Sequence, residues 1–185
     1  MRKLVLAVGL VLMASGAQAA TLNVVGGQLM GASGVLVDGS LYDVQFLDGT
    51  CIERYSGCDD TSDFTFQTEA SATLSSQALL DQVFLDGPLG NFDSEPHKTN
   101  GCSSPAECHA LTPYRFVFPL LSLINVGNST DALGPPGNWV WGSYDDVYDT
   151  SSVYFTYAVW SPIPEPSTAL LLGLGLVGMA ARRRV

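Results

Sequence analysis

The sequence predicts a mainly β, sandwich-like single ectodomain that contains one α-helix and is followed by a short C-terminal transmembrane helix. Three observations lead to this prediction. Stretches that alternate apolar and polar residues, or that are rich in aromatic and β-branched residues, recur through residues 20–160 and are typical of strands. Within this region, residues 75–85 have the apolar spacing of an amphipathic helix. An uncharged apolar stretch follows separately at residues 168–181.

The first 19 residues have the features of a secretory signal peptide. A positively charged start and an apolar core at residues 4–13 precede a small-x-small cleavage site formed by Ala17 and Ala19. We therefore expect signal peptidase to cut after Ala19, so that the ectodomain comprises residues 20–160.

A β-hairpin is predicted over residues 34–47. Asp38 and Gly39 supply the positive φ angles that a tight hairpin turn requires. The alternation in the second strand places three apolar side chains on one face, namely Tyr42, Val44 and Phe46. Residues 63–68 also alternate, and they predict another short strand.

The predicted helix covers residues 75–85. A Ser or Thr between Ser71 and Ser75 can cap its start, and the Asp-Gly-Pro sequence at residues 86–88 ends it. Four apolar residues form its buried stripe: Ala78, Leu79, Val83 and Phe84.

The second half of the ectodomain is predicted to begin with a long ordered loop at residues 87–113, which is rich in Gly, Pro, Asn and Ser. Four strands then follow, at residues 114–118, 120–126, 139–141 and 153–160. In the last strand, one face carries Val153, Phe155, Tyr157 and Val159.

Four cysteines lie in the ectodomain and indicate an oxidising compartment. Three connectivities are possible, and we favour local pairing because short loops close readily. The favoured disulfides are Cys51–Cys58 and Cys102–Cys108. The alternative is a metal site in which the second pair combines with His97 and His109, but this spacing matches no common zinc pattern.

Charge is unevenly distributed along the chain. Of 8 basic and 18 acidic residues, five basic residues lie in the two terminal segments. The ectodomain therefore keeps three basic residues against 17 acidic ones, a net charge of −14. Its basic residues are Arg54, Lys98 and Arg115. This balance excludes nucleic acid as a partner, because nucleic-acid binding needs cationic side chains that neutralise phosphates.

Two acidic clusters offer hard oxygen ligands of the kind that Ca²⁺ prefers. They are Asp59, Asp60 and Asp63, and Asp145, Asp146 and Asp149. Neither has the spacing of an EF-hand, so a solvated acidic loop is the favoured interpretation of both. We expect no resident cofactor or metal, with Ca²⁺ as the alternative.

Three aromatic residues stand beside the second acidic cluster: Trp139, Trp141 and Tyr144. If exposed, they could stack on sugar rings, and if buried they are core residues.

Catalytic motifs are not found. His97 and His109 are the only imidazole bases, and we expect both to be exposed and inert in the predicted loop. The sequence therefore predicts a protein that is not an enzyme.

The C-terminal tail, residues 161–185, has three parts. Pro164-Glu165-Pro166 precedes the apolar residues 168–181, and three arginines follow, Arg182, Arg183 and Arg184. As a helix the apolar part is about 21 Å long, which is short for a bilayer core of about 30 Å. The arginines predict a cytoplasmic C-terminus. An ordinary C-terminal anchor is one interpretation. The order and spacing of the three parts resemble the PEP-CTERM sorting signal of Gram-negative bacteria that make extracellular polysaccharide.

This resemblance implies a processing partner and a destination. Such tails are similar to substrates of exosortase, a membrane transpeptidase-like enzyme that acts near the Pro-Glu-Pro motif. The implied protein is exported, transiently anchored in the inner membrane, and then delivered to the cell surface or outside. We expect a non-enzymatic surface or matrix protein associated with exopolysaccharide or biofilm. The alternatives are a secreted glycan-binding module, a hydrolase, or a Ca²⁺-stabilised adhesin. The resemblance is confined to the tail and transfers no activity to residues 20–160.

Overall fold

The computed structural model describes residues 19–117, 120–130, 139–145 and 152–164, and for residues 139–145 the description covers the backbone. Its strands are β1 (Thr21–Val25), β2 (Gln28–Val37), β3 (Ser40–Leu47), β4 (Asp86–Gly87), β5 (Gly90–Asn91), β6 (Glu107–Val117), β7 (Leu120–Ser129), β8 (Trp139–Asp145) and β9 (Phe155–Pro162). Its helices are α1 (Cys51–Arg54) and α2 (Glu69–Gln82), with 3-10 turns at Thr61–Asp63 and Pro96–Lys98.

Seven strands form one mixed sheet in the order β1-β2-β3-β9-β6-β7-β8, and β4 and β5 form a separate two-residue ladder. Strands β6 and β9 are parallel, and the other neighbours in the sheet are antiparallel. Helix α2 contacts β2, β6, β7 and β8. Because β2 and β8 lie near opposite ends of the sheet, the sheet must curve around the helix. The predicted mainly β fold with one main helix is confirmed, and the seven main strands of the described residues form one sheet rather than the two packed sheets of a sandwich.

The sheet buries side chains on both faces. The helix-side core contains Phe46, Leu79, Phe84, Ile124 and Trp160, among others. The opposite core is smaller and contains Cys51, Cys58, Phe64, Leu111, Leu121, Leu123 and Tyr157. Strand β9 serves both cores, since Tyr157 and Trp160 lie on opposite faces of the strand. The predicted face formed by Phe155, Tyr157 and Val159 is confirmed, whereas Val153 precedes the strand and is exposed.

The predicted hairpin is confirmed as β2 and β3. Asp38 and Gly39 have φ angles of 47° and 82°, the left-handed values that such a turn requires. Val44 and Phe46 are buried, and Tyr42 packs against the same core. The first strand begins at Gln28 rather than Gly34 because it also pairs with β1.

The predicted helix starts too late. Helix α2 begins at Glu69, and its cap is Thr68, whose Oγ1 accepts a hydrogen bond of 3.2 Å from the Ser71 amide. Within the helix, the Thr73 hydroxyl donates a hydrogen bond to the carbonyl of Glu69, four residues earlier. The helix thereby includes a threonine whose hydroxyl would otherwise compete for backbone groups. The helix ends at Gln82, before the predicted end. The four residues of the predicted stripe are nevertheless all buried: Ala78, Leu79, Val83 and Phe84.

Two further predictions are wrong at the level of single elements. Residues 63–68 form no strand, and the 3-10 turn Thr61–Asp63 occupies the start of this segment. The predicted loop at residues 87–113 ends early, because β6 begins at Glu107 and pairs with β7 along its whole length. This long antiparallel partner lies downstream in the sequence, so local composition did not reveal it.

Candidate functional site: the exit of the C-terminal tail

The tail leaves the ectodomain from the middle of the sheet. Strand β9 lies between β3 and β6, and its ladder with β3 continues to Pro162, which pairs with Tyr42. The Ile163 amide then donates a hydrogen bond of 2.9 Å to the Leu41 carbonyl. Pro164, the last residue described, is exposed. The first residue of the Pro-Glu-Pro motif therefore lies two positions beyond the end of a central strand.

A gap opens between β6 and β9 just before this exit. The two strands pair only at His109–Leu111 and Phe155–Tyr157. Beyond that point the segment Thr61–Gln67 lies between them. Thr65 Oγ1 donates a hydrogen bond of 2.6 Å to the Trp160 carbonyl.

The same segment also bonds the other strand, since Thr61 Oγ1 accepts a hydrogen bond of 3.2 Å from the Phe116 amide on β6. Two threonine hydroxyls thus stand where ladder hydrogen bonds would have joined β6 to β9. The segment passes from one face of the sheet to the other, which explains why Phe64 and Phe66 enter opposite cores. A strand would have kept both on one face.

Aromatic packing fixes the end of β9 as well. The Phe66 ring lies 5.0 Å from that of Tyr42 and 5.6 Å from that of Trp160, measured between centroids. Trp160 Nε1 donates a hydrogen bond of 3.3 Å to Thr112 Oγ1. On the opposite face, the Tyr55 hydroxyl donates to the Ala158 carbonyl at 3.2 Å, and burial raises the pKa of this phenol well above its ordinary value. The exit strand is therefore held from both faces.

With this exit in place, the tail itself can be identified. Residues 162–184 match the family model of the PEP-CTERM protein-sorting motif. The tail is a PEP-CTERM sorting motif. This confirms the resemblance predicted from the sequence, and it marks an exported protein that is sorted and processed by an exosortase at the membrane before it reaches the surface. No curated protein and no solved structure matches the chain.

The PEP-CTERM motif and the fold share a boundary. The match begins at Pro162, which is also the last residue of β9. Glu165, Pro166, the apolar residues 168–181 and the basic residues 182–184 lie outside the described residues. In the part of the chain that is described, no helix is long and apolar enough to cross a membrane.

The signal-peptide cleavage site stays a prediction. Ala17 lies outside the described residues, and Ala19 is exposed two positions before β1 begins at Thr21. A cut after Ala19 would leave β1 intact.

Both predicted disulfides are present, Cys51–Cys58 and Cys102–Cys108. The first encloses α1 and packs in the same core as Phe64 and Tyr157. The second ties the loop before β6 to the start of that strand. The alternative metal site cannot use Cys102 and Cys108 as ligands, because their sulfurs form a disulfide and are not thiolates. Among the described residues, no group of three or more metal-ligating side chains is found.

The two histidines lie in different elements. His97 lies in the 3-10 turn Pro96–Lys98 and is partly buried. The prediction that His109 is exposed in a loop is wrong: it lies in β6, is 7% exposed, and packs against Phe155 with ring centroids 5.1 Å apart.

The environment of His109 favours its neutral form. Burial lowers the pKa of its imidazole, and the side chains of Glu107 and Asn125 oppose that shift. Its Nε2 lies 3.3 Å from Glu107 Oε2. An imidazole enclosed in this way is a structural member of the sheet rather than an accessible base.

The first acidic cluster caps a turn. Asp60 Oδ1 accepts a hydrogen bond from the Ser62 amide at 2.8 Å, and this bond lowers the pKa of the Asp60 carboxyl. Asp63 Oδ2 accepts from the amides of Asp59 and Asp60, each at 3.1 Å. These carboxylate oxygens therefore satisfy backbone donors of the 3-10 turn.

The second acidic cluster is only partly described. Asp145 ends β8, whereas Asp146 and Asp149 lie outside the described residues. The predicted strand at Trp139 and Trp141 is confirmed as part of β8, which also contains Tyr144. The side chains of these three aromatic residues lie outside the described part of the structure, so sugar stacking and core packing both stay predictions.

Sequence reasoning missed the role of the segment Thr61–Gln67, called the crossing segment below, and of its two threonines, Thr61 and Thr65. Their hydroxyls carry no motif, and their role depends on β6 and β9 separating at one point in the sheet. The acidic residues on either side of Thr61 instead favour the interpretation of this stretch as a solvated acidic loop.

Proposed function

We propose that the protein is an exported, non-enzymatic surface or extracellular-matrix protein, delivered through its PEP-CTERM tail and associated with exopolysaccharide or biofilm. The observation that carries this proposal is the shared boundary at Pro162, where a central strand of the ectodomain ends and the sorting motif begins. The ectodomain and its delivery signal are therefore one continuous unit without a linker.

The short connection sets the position of the ectodomain before processing. Five residues lie between Pro162 and Thr168, where the predicted membrane segment begins. Fully extended, this connection spans about 20 Å. The folded ectodomain would therefore lie against the outer surface of the inner membrane, close to a membrane-embedded processing enzyme.

The order of folding supports delivery of a folded protein. Strand β9 contributes to both cores, so the sheet is incomplete until residues 155–162 have been exported. The sorting motif follows at once. Completion of the fold and arrival of the motif outside the membrane would thus be nearly simultaneous, and processing would act on a folded ectodomain.

A non-enzymatic role is supported by the positions of the candidate bases. His109 is buried on β6 and packs against Phe155 of β9, and His97 lies in a separate turn. Alanine substitutions at both positions, assayed on a panel of polysaccharides, test this part of the proposal. Hydrolysis by the native protein that is lost in either variant would contradict it.

The sorting role is tested in the producing bacterium. Replacing Pro164, Glu165 and Pro166 by alanine keeps the apolar segment and the arginines but removes the motif. We expect this variant to accumulate unprocessed in the inner membrane. The matched control replaces Ser161, Ile163 and Ser167 by alanine and should mature normally. If the motif variant is processed and reaches the surface as efficiently as the control, the Pro-Glu-Pro residues do not direct sorting and the proposal is wrong.

A further inference from the structure

A polar cleft opens beside the crossing segment, on the helix side of the sheet. Its volume is about 410 Å³, within the range of small-ligand sites. Four residues of its wall come from the segment that leads into α2, and three come from the sheet: Thr61, Gln67, Thr68, Glu69, Tyr114, Arg115 and Ser122. None of them belongs to the PEP-CTERM motif.

A β-bulge creates this cleft. In the β6–β7 ladder, Pro113 pairs with Leu123 but Arg115 pairs with Ser122, so Tyr114 has no partner position. Consecutive residues of a regular strand point to opposite faces, and a bulge lets two of them share one face. Tyr114 and Arg115 therefore both line the cleft.

Arg115 is the feature that points to a ligand. It is one of only three basic residues in an ectodomain with 17 acidic residues. Lys98 forms an ion pair with Glu95, whereas no ion pair joins Arg115 to another described residue. The Arg115 side chain is exposed, and its guanidinium fork matches a carboxylate in a bidentate manner.

The rest of the wall narrows the class of ligand. Gln67 and Glu69 are exposed and offer amide and carboxylate groups to hydroxyls. Glu69 also disfavours compact, doubly charged anions such as phosphate or sulfate, because it adds a negative charge to the same cleft. A ligand with one negative charge and several hydroxyls suits both Arg115, which binds the charge, and Gln67 and Glu69, which accept hydrogen bonds from the hydroxyls.

We infer that this cleft binds a carboxylate-bearing sugar unit, a hexuronate, with its carboxylate on Arg115 and its hydroxyls toward Gln67 and Glu69. The inference deepens the proposed association with exopolysaccharide, on which it rests, by naming an acidic glycan as the ligand. The ectodomain would then bind glycans that contain hexuronate units.

Calorimetric titration of the full-length chain in detergent tests the inference, with tri-galacturonate as the probe. The methyl ester of the same trisaccharide is the matched neutral ligand. We expect the acid to bind at least about tenfold more tightly than its ester, and Arg115→Gln to weaken binding of the acid by about tenfold or more. Lys98→Gln removes the same charge elsewhere and should leave binding unchanged.

Three results would overturn the inference: equal binding of acid and ester, undiminished binding by Arg115→Gln, or no binding of the acid by the native chain at about 10 mM. Thermal unfolding of Arg115→Gln shows whether its fold is intact. Arg115→Lys keeps the positive charge but cannot make the bidentate contact of a guanidinium, so it should bind with intermediate affinity. Secretion of Arg115→Gln should be normal, so failure of the cleft and failure of the sorting proposal are distinguishable.

Discussion

The Thr65 hydroxyl donates a hydrogen bond of 2.6 Å to the carbonyl of Trp160, two residues before the PEP-CTERM motif begins. This contact joins the segment that crosses the sheet to the strand from which the tail emerges. It holds the exit strand at the place where β6 no longer pairs with β9.

Substitution of Thr65 should destabilise the end of β9, from which the tail emerges. In Thr65→Val the side chain keeps its shape but cannot donate to Trp160, and we expect the free energy of unfolding to fall by about 1 kcal/mol. Chemical denaturation measures this loss. Thr65→Ser should retain most of the stability. Equal stability of the valine and serine variants would mean that the hydrogen bond contributes nothing.

Removal of β9 should prevent folding, whereas removal of the tail should not. A chain that ends at Pro164 retains β9 and both cores, so we expect dispersed NMR signals and cooperative unfolding. A chain that ends at Ser152 lacks the strand between β3 and β6 and should remain unfolded. If the shorter chain gives the same cooperative transition, β9 is dispensable and the proposed coupling between folding and delivery fails.

His109 should make stability depend on pH in the mildly acidic range. Its pKa is lower in the folded protein than in the unfolded chain, so the unfolded chain binds more protons as the pH falls. We expect the free energy of unfolding to decrease from about pH 7 to pH 5, around the ordinary imidazole pKa of about 6.5. His109→Gln should flatten this slope.

The neighbouring groups permit an internal check on this pH dependence. Glu107 raises the pKa of His109 against the effect of burial, so Glu107→Gln should steepen the same slope. Asn125 and Phe155 also face the imidazole but do not titrate in this range. The carboxyls with lowered pKa values, such as Asp60 and Asp86, act only below about pH 5. A slope that is the same in all three proteins would contradict the assignment to His109.

Local signals in the sequence predicted the elements that are decided locally. Asp38 and Gly39 specify the hairpin turn through their backbone conformation, and the short spacings of the cysteines favoured the two disulfides that form. The PEP-CTERM tail was recognisable for the same reason, because its three parts are contiguous in the chain.

Non-local pairing accounts for the predictions that failed. The burial of His109 depends on the alignment of β6 with β7 and β9, which local composition does not encode. Phe64 and Phe66 alternate as in a strand, but their segment crosses the sheet and sends them to opposite cores. The cleft at Arg115 depends on a bulge that follows Pro113; proline in a central strand is typical of a bulge, but the local residue pattern does not show that β6 is a central strand.

We infer that a folded ectodomain is delivered and then separated from its membrane segment at the PEP-CTERM motif. Intact-mass spectrometry of the protein recovered from the cell surface or medium tests it most directly. We expect a chain that begins at Ala20, carries two disulfides, and ends near Pro164–Ser167 without residues 168–185. Recovery of a surface protein that still contains Arg182, Arg183 and Arg184 would contradict it.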